Sequence, residues 1–114
     1  MSVIVNTSRQ TILADRADVA RSLAQRVVGL LSRAALADGQ ALVIPGCGSI
    51  HTCFMRFPID VVFLRKGQAV KIVHALPPFR LACAAGADAV IELPAGCASR
   101  ADLSVGQRFE ILPQ

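Results

Sequence analysis

Cys47, His51 and Cys53 stand in a C-x3-H-x-C pattern. If the segment is extended, His51 and Cys53 share a face, because side chains along a strand repeat every second residue. Together with His74, Cys83 or Cys97 they hold enough soft donors for a tetrahedral metal. The paired Cys-x2-Cys knuckle of structural zinc sites is missing, so the preferred reading is four small buried thiols that bind no stoichiometric zinc.

A second set of groups supports different chemistry. Asp60 opens one apolar stretch and Glu92 lies inside another. Carboxylates in such places need partners. Either they cap turns and pair with Arg33 and Arg56, or they line a polar pocket with His51. A carboxylate beside His51 would raise the imidazole pKa and make an acid/base pair. No Gly-x-Ser-x-Gly, P-loop or His-Glu-x-x-His accompanies them, so no complete catalytic constellation is visible.

These residues cluster in Ser49 to Gly67, SIHTCFMRFPIDVVFLRKG, and the flanking sequence must position them. Ser2 to Val5 and Thr11 to Ala14 read as a hairpin, with a turn at Asp15-Arg16-Ala17 and a further short strand from Asp18 to Arg21. Ser22 and Gln25 form a capping box, and Leu23, Val27, Leu30 and Leu31 follow at helical spacing. The spacing predicts a helix over Leu23 to Ser32. Gly29 within it costs about 1 kcal/mol relative to alanine and suits a close backbone approach.

Asp38-Gly39 reads as a turn, and Ala41 to Ile44 as a strand stopped by Pro45-Gly46. Ile50 to Met55 reads as extended, Asp60 to Leu64 as a buried strand, and Ala69 to His74 as its return. Phe79 to Asp88 fits a loop or a loose helical turn equally well. Ala89 to Leu93 and Arg108 to Leu112 complete the strands, with a helical turn at Arg100 to Val105. The expected fold class is α+β, mainly antiparallel β, as a small curled sheet or barrel with one principal helix.

The 114 residues make one domain and can bury a core without staples. The formal charge is +4, and ten of the twelve basic residues are arginines spread along the chain. That spread lacks the dense basic face and stacking aromatics of a nucleic-acid binder. No apolar run approaches the roughly 18 residues of a membrane span. The N-terminus has no basic start with an apolar core, so the expected location is the cytoplasm, with reduced cysteines.

Several pieces together resemble the domain of unknown function 192 family. They are Gly29-Leu30-Leu31 with Arg33, Pro58-Ile59-Asp60, and Ile91-Glu92-Leu93-Pro94-Ala95-Gly96, in that order. The likeness runs from about Ala20 to Leu112. Many relatives carry a Trp-Met pair before the Pro-Ile/Leu-Asp piece; this chain resembles the variant with Ile50-His51-Thr52. In that variant Phe-Gly often precedes the methionine, where this chain has Cys53-Phe54. The resemblance implies a compact, mostly β domain and no established reaction.

The leading functional expectation is a non-enzymatic module that binds a small ligand or a protein through a polar cleft. His51, Thr52, Arg33, Asp60 and Glu92 are its candidate site residues, and no cofactor is implied. Within that reading, replacing His51 or Thr52 by alanine leaves stability nearly unchanged. The alternatives are a small enzyme, such as a hydrolase using His51 with Asp60, and a metal or thiol site at Cys47, His51 and Cys53.

Overall fold

The computed structural model of the protein describes residues 1–20, 36–53 and 55–114. Nine strands are described: β1 (Ser2–Asn6), β2 (Thr11–Val19), β3 (Gln40–Pro45), β4 (Ser49–His51), β5 (Ile59–Arg65), β6 (Gln68–Leu76), β7 (Leu81–Cys83), β8 (Ala89–Pro94) and β9 (Phe109–Pro113). The one described helix, α1, is a single turn at Cys97–Arg100. The expected principal helix at Leu23 to Ser32, its Ser22 cap and Arg33 lie outside the described residues.

Seven strands form one sheet in the order β6-β5-β8-β3-β2-β1-β9. All neighbours are antiparallel except β2 and β3, whose pairing is parallel. The sheet curls until its two edge strands approach: Gln68, at the start of β6, bridges Arg108, just before β9. Beside it the Ala69 N–H donates to Gln107 O at 2.9 Å and the Phe109 N–H to Gly67 O at 2.8 Å. The fold is thus a mainly antiparallel β half-barrel pinned at one end.

Strict alternation divides β3, β5 and β8 between two cores. Ala41, Val43, Val62, Leu64, Ile91 and Leu93 face inward, where they meet Ile4, Ala17, Ala69 and Phe109 from the other strands. Leu42, Ile44, Val61, Phe63 and Val90 face the other way and form a second core with Ile50 and Ala82. Those two residues belong to a separate ribbon in which β4 pairs with β7. The ribbon therefore lies on the outer side of the sheet. The start of β4 is held close to the loop after β7: a Cβ on Gly48 would stand 2.8 Å from Ala87 O.

Two local expectations are corrected. Asp15-Arg16 makes no turn; β2 runs through it, and the register shift between Ser2–Ala17 and Ile4–Ala14 marks a bulge. A bulge absorbs the extra residue and leaves both polar side chains exposed while Ala14 and Ala17 stay buried. The helical turn expected at Arg100 to Val105 begins earlier, at Cys97, because Gly96 takes a left-handed conformation (φ 90°) and starts the turn there. The uncommitted Phe79 to Asp88 stretch contains β7.

Candidate functional site

Asp60 is fully buried near the start of β5. One carboxylate oxygen accepts the Ala75 N–H at 2.7 Å and the other the Ala98 N–H at 2.8 Å. Ala75 has φ 48°, at a register shift where β6 bulges against β5. Asp60 therefore ties a strained point of β6 and the first turn of α1 to one strand. Its register partner is Leu93, so it points into the half-barrel.

Glu92 is also fully buried. It stands opposite Leu42 on one side and Val61 on the other, both members of the outer core. Glu92 thus points to the side of the sheet on which the ribbon packs, whereas Asp60 points to the other. The sheet does not bring the two acids into one cleft. Nor does it join His51 to Asp60, whose oxygens are taken by two backbone N–H groups on the far side.

His51 and Thr52 lie where β4 ends. Ile50 packs inward, so His51 turns outward and is exposed, directly opposite Leu81 of β7. Thr52 is fully buried and engages one loop with all its polar atoms. Its hydroxyl donates to Pro77 O at 2.7 Å and accepts the Arg80 N–H at 2.8 Å. Its own N–H donates to Arg80 O at 2.8 Å, and its carbonyl accepts the Phe79 N–H at 3.1 Å.

The clasp fixes an unusual residue. Phe79 adopts φ 61°, left-handed backbone that a bulky side chain rarely takes, and is 66% exposed. Two residues on, Leu81 is 74% exposed. His51 and Leu81 lie on the outward surface of the ribbon, and Phe79 is exposed in the loop that leads into β7. Of these, sequence reasoning found only His51. The Pro77-Pro78 pair ahead of an aromatic was the available signal for a presented turn.

Among the described residues no three His, Cys, Asp or Glu side chains gather as a metal site. The Cys47 thiol instead donates to Ser49 O at 2.8 Å. Burial pushes the Cys97 thiol up from its ordinary pKa; Arg100 opposes this, and Asp60 and Asp38 add to it. No described helix is long and apolar enough to cross a membrane.

The class these features define is a small β half-barrel with an added two-stranded ribbon. The family model of domain of unknown function 192, described as Uncharacterized ACR, matches residues 3–111. The chain belongs to that family. No curated protein matches it. A crystal structure of a protein of unknown function from Novosphingobium aromaticivorans superposes with a TM-score of 0.79 at 24% identity, covering 96% of this chain and 82% of that one. A crystal structure from Sinorhizobium meliloti, described as a "putative transcription regulator", gives a TM-score of 0.80 at 22% identity, covering 96% and 91%. At these identities the likeness establishes the fold.

Proposed function

We propose that this protein is a non-enzymatic binding module whose contact face is the outward side of the β4–β7 ribbon, centred on His51. The observation that carries the reading is the Thr52 clasp, which holds Phe79 outward in a strained conformation beside Arg80 and Leu81. Backbone strain persists only where surrounding bonds over-determine it, and it collects at ligand-binding positions. Exposed large apolar side chains beside a histidine add a surface suited to contact.

In this reading Thr52 positions the loop, while Asp60 and Glu92 are buried supports of the two sheet faces. The four free cysteines fit a reducing compartment such as the cytoplasm. The test is a thermal-shift screen of small molecules and peptides against the wild type, His51→Ala and Leu81→Glu. A ligand that raises the Tm of the wild type but of neither variant is the expected result. Ligands that stabilise all three proteins equally would place binding elsewhere.

A further inference from the structure

The distribution of charge identifies what the ribbon face would take; this inference rests on the reading just given. Residues 49–83 contain five Lys or Arg and one acid, Asp60, which is buried and bonded to backbone. The remainder of the chain holds seven of each sign, so this stretch carries the whole formal charge of +4. Among the described residues the ion pairs Arg9–Asp102, Arg16–Asp15 and Arg100–Asp38 all lie outside it.

Three of the five cations lie along β7 and the turn that follows it. Arg80 precedes it. Lys71 reaches across from β6, its Nζ donating to Cys83 O at 2.8 Å and lying 6.0 Å from the centre of the Phe63 ring. Arg65 extends over the next turn, where a Cβ on Gly86 would come 3.4 Å from its Nη1. Leu81 and Cys83 point outward two residues apart, and the exposed Phe79 stands in the loop that leads into them. An extended peptide repeats its side chains with that period.

We propose that the outward face of the ribbon docks an extended acidic segment of a protein partner. Its apolar side chains would pack on Phe79 and Leu81, and its carboxylates would meet Arg80, Lys71 and Arg65. Charge complementarity of this kind supplies specificity and association rate, while the apolar anchors supply affinity. A single-stranded nucleic acid would stack its bases on a series of aromatic rings. Phe79 is the one aromatic residue among the large exposed apolar side chains described.

The test uses the full chain and three immobilised probes. These are a short random peptide library of Glu, Asp, Leu, Val and Phe, its Lys and Arg counterpart, and oligothymidylate of equal length. The acidic library should be enriched, and binding of its selected members should weaken as salt rises. Arg80→Glu and Leu81→Glu should each weaken those members about tenfold or more, the scale of a central contact residue. Arg9→Glu makes the same charge change on another part of the surface and should leave binding nearly intact, with unchanged Tm confirming that all three variants fold.

Enrichment of the basic library, preference for oligothymidylate, no binding by the acidic library, or equal weakening by Arg9→Glu would each overturn the proposal. If the acidic library fails while the thermal-shift screen yields a ligand lost on Leu81→Glu, the binding face stands and its acidic partner does not. If both fail, both readings fall.

Discussion

Asp60 and Glu92 sit one register step apart on adjacent strands and point to opposite faces of the sheet. Asp60 stands opposite Leu93 and Glu92 opposite Val61, and the two core clusters fix the direction of each. The carboxylates therefore serve different layers. Asp60 joins α1 and the β6 bulge to the interior, and Glu92 lies beneath the ribbon side.

Asp60→Asn should be strongly destabilising. An amide offers one acceptor oxygen where the carboxylate satisfies two N–H groups, so its NH2 would face a backbone donor. A loss on the order of 3 kcal/mol in urea denaturation is expected, since bonds to a charged group and stranded buried donors are each costly. A loss under about 0.5 kcal/mol would show that the two bonds contribute little.

Thr52 reverses the expectation drawn from sequence. It is buried and bonded to the Pro77–Arg80 loop, so Thr52→Val should cost about 1–3 kcal/mol by stranding the Arg80 N–H. Thr52→Ser keeps the hydroxyl and should recover most of that stability. His51→Ala removes an exposed side chain and should stay within about 0.5 kcal/mol. Equal effects of Thr52→Val and His51→Ala in the same denaturation series would contradict the clasp.

Phe79→Asn should separate stability from binding. Left-handed backbone costs an ordinary residue about 1–2 kcal/mol, and asparagine tolerates it better. The variant should therefore be as stable as the wild type or up to about 1 kcal/mol more so, while losing affinity for whatever ligand the screens reveal. A clear fall in Tm would mean that the ring supports the fold rather than a contact.

The cysteines should differ in reactivity. Cys83 is exposed, whereas burial raises the Cys97 pKa. At mildly alkaline pH, iodoacetamide should label Cys83 well before Cys97, as followed by mass spectrometry. The sign for stability follows from the raised folded-state value. The native fold holds the Cys97 proton more tightly than the unfolded chain, so its contribution is full below the ordinary thiol range. It is lost as pH rises through the folded-state pKa. Cys97→Ala should lack this part of the alkaline decline.

Much of the architecture was legible from local pattern. The stretches read as strands at Ala41 to Ile44, Asp60 to Leu64, Ala69 to His74 and Ala89 to Leu93 coincide with β3, β5, β6 and β8. Strand periodicity and turn chemistry are properties of neighbours in sequence, so the local order of residues reveals them. The same rule pointed to Asp60 and Glu92 as polar groups that need partners.

Which partners they have was decided by tertiary structure. Whether an acid points inward or outward depends on register against strands far along the chain, and one step of register exchanges the faces. The ribbon was invisible for the same reason: β7 is three residues long, and its partner β4 lies some thirty residues earlier. The sequence by itself determined a mainly β chain with a polar, chemistry-bearing segment at its centre. The three-dimensional pairing decided that Thr52 holds a loop, that Asp60 and Glu92 are separated by a sheet, and that Phe79, Leu81 and His51 meet the solvent. Side-chain direction in a sheet is a collective property of its pairing, which no single segment encodes.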